Sequence, residues 1–402
     1  PTDPLRRRLL AAGMMASAGL GASRPASAAG GTLEQPFANG HRNLVAYPEK
    51  RPLIVLTSRP PQLETPFEVF NDGLITPNDA FFVRYHNAGI PTSIDGDQHV
   101  IKIGGNAVGK PFELTVAQLR TQFKPIEMVA VNQCSGNRRG LFNPRVTGGQ
   151  LANGAMGNAR WLGVPLKDVL ARAELKNSAR QVTFNGLDIA LFGGGDFVKA
   201  LNVSHAMDGE VMLAYQMNGA DIPMLNGYPV KLIVPGYFGT YWVKHLSEIE
   251  VIDHVFDGHD ALFMTTAYRV PDNDCQCVAP GSAAAKTRPI STLPVRSFIT
   301  SVQAGGILPA ARSIELKGIA FDAGAGVQAG LFTHDRVIRV GLAQRVDDFL
   351  FGGAIHLGYV ILGVFFVDLD GIQALDGAED QFTGAAGGAQ RDIQHGLHGC
   401  VT

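Results

Sequence analysis

The sequence predicts an α+β fold. Segments that alternate like strands are mixed with short segments of helical spacing, and no regular strand–helix–strand repeat runs through the chain. Of the 402 residues, 46% are hydrophobic, 17% are charged and 48 are glycine, which is typical of a loop-rich globular protein. The length suits two domains. The net charge of −2 gives no indication of nucleic-acid binding.

The first predicted domain, residues 30–290, begins with an extended lead-in rich in Pro, Asn and Gly up to about residue 80. "HVIKIGGNAVGKPFELTVAQLR" then predicts a strand, a glycine-rich turn, a second strand and the start of a helix. In "GVPLKDVLARAEL" the apolar side chains have helical spacing: Val164, Leu166, Val169 and Leu170. "RQVTFNGLDIALF" predicts a strand, and "GEVMLAYQMNGADIP" a helix or a strand before a turn. "YPVKLIVPGYFGTYWVKHLSEIEVI" predicts strand, turn, helical turn and strand.

The second predicted domain, residues 291–402, follows a small, proline-rich linker at 274–292 and opens with strand-like alternation from Pro294. Its composition changes after about Asp322. No proline follows Pro309 and no lysine follows Lys317, and strand alternation and turn signals become blurred. Two interpretations stay open for this tail: a divergent domain, or a shifted reading frame.

The N-terminus, residues 1–29, has the pattern of an export signal. Arg6, Arg7 and Arg8 precede a mildly apolar stretch that ends in the small residues Ala26-Ser27-Ala28. Adjacent arginines favour the twin-arginine route. No later segment has the ~20 uninterrupted apolar residues that a membrane span requires. We therefore expect a periplasmic protein without a membrane anchor.

The four cysteines predict no disulfide framework. Cys275 and Cys277 are too close in sequence for an ordinary bridge, and Cys400 lies near the end of the chain. Cys134 is therefore expected to stay reduced, even in a compartment that permits disulfides.

Cys134 lies in "VNQCSGNRRG", beside Gly136 and the pair Arg138-Arg139. Nearby cations favour the thiolate, the form that attacks substrates or binds metals. No local signature of a nucleophile is present, and no further thiolate or imidazole flanks it at the short spacing of zinc sites. A single thiolate beside arginines suits a metal whose other ligands come from an anionic organic cofactor. On composition alone, an inert buried cysteine is the more common case.

Two further stretches carry candidate residues. Arg84 and His86 in "VRYHNAG" share one face of a strand and could bind an oxyanion, although a surface arginine and a packed histidine are more common. "NGYPVKLIVPGYFGTYWVKHL" places a glycine-rich turn among polar and basic side chains and could hold an anion: Asn226, Lys231, Lys244 and His245. No phosphate-binding P-loop sequence occurs.

Together these stretches resemble the sulfite oxidase family of molybdenum enzymes, the bacterial periplasmic sulfite dehydrogenases in particular. The resemblance runs from about residue 40 to about residue 320. It is carried by "FFVRYHNAGIP", "VNQCSGNRRG", "VTGGQLANGAMGNARWLGVPL", "NGYPVKLIVPGYFGTYWVKHL" and "MTTAYRVP". It implies a mixed α/β molybdopterin-binding domain followed by an immunoglobulin-like β-sandwich.

The resemblance also implies roles for individual residues. Cys134 matches the thiolate that binds molybdenum, Arg84 the arginine beside the substrate oxyanion, and Tyr268 the active-site tyrosine. Arg139 matches a basic residue beside the cysteine. The positions that match contacts of the molybdopterin cofactor are Tyr85, His86, Asp188, Asn226, Lys231, Trp242, Val243 and Lys244. Lys231 stands where the family has an arginine, so charge is kept but bidentate hydrogen bonding is lost.

The implied reaction is the oxidation of sulfite to sulfate, with electrons passed singly to an acceptor. No Cys-x-x-Cys-His haem site occurs in the sequence, so a separate c-type cytochrome is the expected acceptor. The tail after 322 departs from the family, which leaves dimerisation open. A homodimer and a heterodimer with a cytochrome subunit both fit. Two alternatives remain: an exported enzyme acting on another substrate, such as a sulfoxide, and a non-catalytic subunit that retains the fold.

Overall fold

The computed structural model describes residues 27–35, 39–191, 195–279, 281–301, 313–323 and 360–368. Most of the predicted export signal and the tail around Cys400 therefore lie outside the described residues. The last three residues of the predicted signal, 27–29, belong to the first strand. Among the described residues, no helix is long and apolar enough to cross a membrane.

The first sheet contains five antiparallel strands in sequence order, with every strand beside its predecessor. They are β1 (Ser27–Gln35), β2 (Gly40–Ala46), β3 (Leu53–Ser58), β4 (Pro61–Glu64) and β5 (Val83–Arg84). The extended lead-in that the sequence predicts is therefore mostly a meander. Its last strand delivers Arg84 to the centre of the molecule.

The second sheet contains five strands in the order β11-β10-β15-β6-β7. Their bounds are β6 (Val100–Gly104), β7 (Phe112–Thr115), β10 (Gln181–Asn185), β11 (Lys199–Asn202) and β15 (Glu248–Ile252). Only β15 and β6 pair in parallel, and the other pairs in this sheet are antiparallel. This mixed pairing agrees with the predicted absence of a doubly wound fold.

The third sheet joins β8 (Ile126–Gln133), β9 (Met156–Pro165), β12 (Met212–Met217) and β13 (Ala220–Asp221), and β14 (Lys231–Ile233) also pairs with β12. "GEVMLAYQMNGADIP" is thus strand rather than helix. β9 and β12 approach so closely at Gly163 that a Cβ atom there would lie 2.1 Å from the carbonyl oxygen of Leu213. Only glycine fits this contact.

The helices are short and pack beside the sheets. They are α1 (Val116–Gln122), α2 (Leu166–Arg172), α3 (Val203–Ala206) and α4 (Leu262–Thr265). Thr115 and Gln118 close a capping box at the start of α1, with bonds of 3.1 and 2.9 Å. Single 3₁₀ turns occur at Phe67–Asn71, Arg139–Leu141, Met224–Asn226, Gly239–Tyr241 and His259–Ala261.

The C-terminal part contains a hairpin of β16 (Arg269–Pro271) and β17 (Thr287–Pro289), then a three-stranded antiparallel sheet of β18 (Arg296–Ile299), β19 (Ser313–Phe321) and β20 (Val360–Asp368). The immunoglobulin-like sandwich and the boundary at residue 290 stay predictions. Leu293, Ile319 and Phe321 pack against Phe70 and Phe238 of the preceding part.

The prediction for Cys275 and Cys277 was wrong, because these residues form a disulfide. Their Cα atoms lie 5.1 Å apart, within the usual range for a bridge. Gln276 between them has φ of 50°, and this left-handed backbone turns both side chains toward each other. Sequence spacing alone does not show such a conformation. Cys134 is free and buried, as predicted.

Trp161 of β9 is fully buried at the centre of the main core. Its ring meets those of Phe81 and Trp242 edge-on, with centroids 6.0 and 5.7 Å apart, and its Nε1 donates to the carbonyl of Ala130 at 3.2 Å. We predict that Trp161→Leu lowers the free energy of unfolding by ~2–4 kcal/mol, because it leaves a cavity and removes the hydrogen bond to the carbonyl of Ala130. Urea unfolding followed by circular dichroism measures this. The exposed Val255→Ala is the control, expected within ~0.5 kcal/mol of the parent. A loss below ~1 kcal/mol for Trp161→Leu would contradict the packing described.

Candidate active site

A central cleft lies where the ends of the three large sheets meet. Nine of the twelve residues to which the resemblance gives a role in the site line this cleft: Arg84, His86, Cys134, Asp188, Asn226, Lys231, Trp242, Lys244 and Tyr268. Side chains that the sequence did not single out complete the wall: Phe81, Phe82, Asn132, Ser135, Phe197, Leu225, Gly239 and Thr240.

Cys134 directly follows strand β8 and starts a turn that is fixed from both sides. Its amide donates to the carbonyl of Ala155 at 2.9 Å, and the Asn137 amide donates to the Cys134 carbonyl at 3.0 Å. The Gly136 amide points at Cys134 Sγ, 3.4 Å away. The thiol is thus held rigidly at the cleft wall.

The stretch Asn132–Arg139 contains five buried polar side chains with an atom that has no hydrogen-bond partner among the described residues. They are Asn132, Gln133, Ser135, Asn137 and Arg139. Thr240, across the cleft, adds a sixth. An unsatisfied buried polar group is unfavourable by ~1–3 kcal/mol, and such groups are rare in folded proteins. Three of the six, Asn132, Ser135 and Thr240, line the cleft, which indicates that a polar ligand belongs there.

Arg84, His86 and Tyr268 form the wall that the sequence predicts for substrate. His86 Nε2 is hydrogen-bonded to the hydroxyl of Tyr268, and the His86 ring stacks on Phe197 with centroids 4.3 Å apart. Burial, followed by the charges of Arg84 and Lys244, holds the pKa of His86 well below its usual value. Burial raises the pKa of Tyr268 to about 12. At neutral pH this wall therefore presents a guanidinium, a neutral imidazole and an intact phenol.

Two lysines also line the cleft, Lys231, which is buried, and Lys244, which is half-buried. The Lys231 ammonium lies over the rings of Trp161 and Trp242, 5.1 and 5.7 Å from their centroids. Lys244 donates to the carbonyl of Arg84 at 2.7 Å and lies 4.1 Å from the ring centroid of Tyr85. Burial lowers the pKa of Lys244 to about 8 and the pKa of Lys231 well below its ordinary value. The nearby carboxyl of Asp188 is itself buried, which raises its pKa.

Two further buried lysines were not predicted. Lys50 donates to Asn226 Oδ1 and to the carbonyl of Asn78, both at 2.5 Å. Lys199 donates to the carbonyl of Phe263 at 2.6 Å, and its ammonium lies 4.5 Å from the ring centroid of Tyr241. Burial lowers the pKa of both lysines to about 7. Neither stands in a recognisable motif. The only sequence signal at Lys199 is a lysine within an apolar strand, "FVKAL".

Three predicted residues lie behind the cleft wall. The Arg139 guanidinium fills the space beside Gly136, where a Cβ atom would lie 2.8 Å from its Nη1. Tyr85 donates its hydroxyl to His245 Nε2 at 2.6 Å. Both backbone groups of Val243 are hydrogen-bonded. Its amide donates to the carbonyl of Tyr241, and its carbonyl accepts from the amide of Leu232. These three support the wall.

Asn226 lines the cleft, but its side chain is already engaged. Its Oδ1 accepts from Lys50, and its Nδ2 donates to the carbonyl of Phe82 at 3.0 Å. Asn226 therefore links Lys50 to the strand region that carries Arg84. Its predicted contact with a cofactor would have to compete with these bonds.

The four buried lysines have no carboxylate within salt-bridge distance in the described part of the chain. Among the residues that line the cleft, Asp188 is the only carboxylate, against Arg84, Lys231 and Lys244. Burying an unpaired charge is strongly unfavourable. This arrangement becomes favourable when an anion with several charges occupies the cleft.

Comparison with known proteins agrees with this chemistry. A family model described as "Oxidoreductase molybdopterin binding domain" matches residues 87–260. Mitochondrial sulfite oxidase of Rattus norvegicus is 33% identical over 287 residues, which cover 69% of this chain and 50% of that protein. Sulfite oxidase of Gallus gallus is 32% identical, with 60% of its length covered. The chain belongs to the sulfite oxidase family of molybdenum enzymes.

Two further comparisons broaden the family. A nitrate reductase [NAD(P)H] of Hordeum vulgare is 34% identical over 216 residues, which cover 51% of this chain and 24% of that enzyme. The sulfane dehydrogenase SoxCD of Paracoccus pantotrophus matches in structure with a TM-score of 0.59 over 78% of this chain and 74% of that one. At 21% identity this likeness concerns the fold alone. The chain spans about half the length of the sulfite oxidases it matches.

Family membership implies a molybdenum–molybdopterin cofactor, and the cleft fits it. Cys134 offers one soft thiolate for the metal. The unpartnered side chains of Asn132, Ser135 and Thr240 offer hydrogen bonds to a polar pterin, and Lys231 and Lys244 offer charge to its phosphate. When bound, this cofactor supplies oxygen-atom transfer coupled to two-electron redox chemistry.

The pKa of Lys199 gives a testable pH dependence. Between about 7 and its ordinary value of 10.5, Lys199 is protonated in the unfolded chain and neutral in the folded chain. The unfolded state then binds more protons, so the free energy of unfolding of the cofactor-free protein rises with pH, by up to ~1.4 kcal/mol per pH unit from this group. Lys199→Met should flatten this slope, measured by urea unfolding at a series of pH values. Substitution of the exposed Lys110 by Met should leave the slope unchanged. An equally steep slope in Lys199→Met would contradict the prediction.

Proposed function

We propose that this chain oxidises sulfite to sulfate in the periplasm and passes the electrons to a separate c-type cytochrome. The observation that carries the proposal is the juxtaposition of Cys134 with the Arg84–His86–Tyr268 wall in one cationic cleft. Sulfite is a small oxyanion, so a site that binds it needs positive charge and hydrogen-bond donors beside the reacting centre.

The substrate wall would work through fixed charge and through hydrogen bonds. Because the pKa of His86 is lowered, the positive charge of this wall comes from Arg84 at neutral pH. The Tyr268 phenol stays protonated and bonded to His86, so its hydroxyl is held in one orientation. Arg84 would attract the dianion, and Tyr268 and His86 would orient it and stabilise the charge that develops during oxygen transfer.

The acceptor and the compartment are inferences from the sequence. The pattern of Arg6, Arg7 and Arg8 before an apolar stretch supports export by the twin-arginine route. The sequence has no Cys-x-x-Cys-His site, which supports a cytochrome on another chain. A heterodimer with such a cytochrome and a homodimer are both compatible with the described C-terminal strands.

The similarity to barley nitrate reductase favours a second candidate, the reduction of an oxyanion such as nitrate at the same cleft. Both reactions move one oxygen atom to or from a small anion, so the cationic wall serves either. Turnover assays with sulfite and cytochrome c, and with nitrate or a sulfoxide and a reduced viologen dye, separate the candidates. We expect turnover with sulfite at the highest kcat/KM.

Cys134→Ser is predicted to abolish sulfite-dependent reduction of cytochrome c, because a serine hydroxyl does not replace a soft thiolate ligand. Purification from a host that makes molybdopterin, with metal analysis beside the turnover assay, measures both consequences. The exposed Ser204→Ala is the control and should keep parent activity. Activity of Cys134→Ser at more than a few per cent of the parent's would refute this role.

Arg84→Gln is predicted to lower kcat/KM for sulfite by ~10²–10³-fold, because it removes the positive charge of the substrate wall. Turnover of a neutral sulfoxide, where detectable, should change far less. Arg180→Gln, on the exposed surface, is the control for loss of a charge elsewhere. Equal losses with charged and neutral substrates would show that Arg84 acts through the structure and not through charge.

A further inference from the structure

The loop between β16 and β17 carries a disulfide that the proposed reaction does not use. Cys275 and Cys277 are separated by Gln276 alone, Cys275 is exposed, and Cys277 is half-buried. Cys134, in contrast, is buried in the core and free. Cys275 is therefore the cysteine of the pair that a thiolate from solution reaches more readily.

This disulfide contributes little as a cross-link. The chain entropy that a bridge removes grows with the logarithm of the loop it closes, and this loop contains one intervening residue. The bridge also holds Gln276 at φ of 50°, a region that side chains other than glycine adopt unfavourably. Because the closed loop is so short, breaking this bond returns little chain entropy, and the folded structure does not depend on it as it would on a long-range structural disulfide. Exposed and strained disulfides are the exchangeable ones.

Asn273 keeps the two cysteines together without the bridge. Its Nδ2 donates to the carbonyl of Cys277 at 2.8 Å, and the Cys277 amide donates to Asn273 Oδ1 at 3.1 Å. The Gln276 amide also donates to the carbonyl of Asn273 at 3.0 Å. These bonds do not depend on the S–S bond. They hold Cys277 beside Cys275 when both are thiols, which favours closure.

The charges near the loop favour a dithiol over a dianionic nucleophile such as sulfite. Asp272 is paired with Lys286 at 2.8 Å and lies 3.6 Å from Arg288, whereas the exposed Asp274 directly precedes Cys275. A carboxylate at this position repels an anion such as sulfite from the Cys275 sulfur. A dithiol approaches the loop mostly as a neutral molecule, and the thiolate that attacks carries a single negative charge, so it is repelled less than the sulfite dianion.

We propose that Cys275 and Cys277 form a dithiol–disulfide exchange site, which a dithiol opens in the folded protein and its disulfide form closes again. A thiolate of the dithiol attacks Cys275 Sγ, and Cys277 leaves as a thiolate. The second thiol of the reductant then attacks the mixed disulfide and releases Cys275. The reductant loses two electrons and becomes a disulfide, and its two thiol protons pass to the two cysteines.

The test uses the full chain in buffers of reduced and oxidised dithiothreitol without denaturant. Free thiols are alkylated and mapped by peptide mass spectrometry, which also separates Cys400 from the pair. We expect Cys275 and Cys277 to be alkylated together under reducing conditions while Cys134 stays unmodified, and to become protected again in oxidised dithiothreitol. Alkylation of the pair only when Cys134 also reacts would overturn the proposal, and so would failure to close.

A substitution tests the role of Asn273. Asn273→Ala should shift the closing equilibrium about tenfold toward the dithiol, because it removes two hydrogen bonds that hold Cys277. Asn106 makes a comparable pair of bonds to Asp253 on another loop, so Asn106→Ala is the matched control and should leave the equilibrium unchanged. An unchanged equilibrium in Asn273→Ala would contradict the argument for closure. Opening by sulfite, as an S-sulfonate, without opening by the dithiol would contradict the choice of reactant. None of these measurements depends on bound molybdenum or on sulfite turnover.

Discussion

The central constraint on this structure is the burial of several positive charges around one cleft without carboxylates to balance them. Lys231 and Lys244 lie in its wall, and Lys50 and Lys199 lie behind it. Aromatic rings and backbone carbonyls receive their ammonium groups, but neither carries the full negative charge that would compensate them. Burial therefore lowers the pKa values of these lysines. An anionic cofactor would supply the missing negative charge. Binding of the cofactor should therefore raise the free energy of unfolding of the protein.

Strands of all three large sheets end or begin at this cleft and position its side chains. Strand β5 brings Arg84, β8 ends one residue before Cys134, and β11 begins with Lys199. The buried ring of Trp161, on β9, separates the core from the Lys231 ammonium. Because each group sits at the end or start of a paired strand, the chemistry rests on rigid elements. Asn132 and Ser135, on either side of Cys134, line the cleft, and each has a buried side-chain atom without a hydrogen-bond partner among the described residues.

Much of this could be read from the sequence, for specific reasons. The residues around Cys134 are contiguous in the sequence, so its polar and basic neighbours could be recognised together. The mixture of strand-like and helical spacing indicated an α+β fold. Lys50 and Lys199 escaped notice because their burial depends on tertiary packing of distant segments. The Cys275–Cys277 bridge was missed because the number of residues between two cysteines does not show that Gln276 has a positive φ. The sequence left open whether the segment of β12 is a helix or a strand. It is a strand because β9 and β14 pair with its two edges, and a local sequence pattern does not contain this information.

The measurement that tests the central claim most directly is the content of molybdenum and of extractable pterin phosphate in protein purified from a host that makes molybdopterin. The account predicts about one of each per chain, together with a higher free energy of unfolding than in protein from a host that lacks the cofactor. A correctly folded protein with neither metal nor pterin, and with equal stability from both hosts, would contradict it.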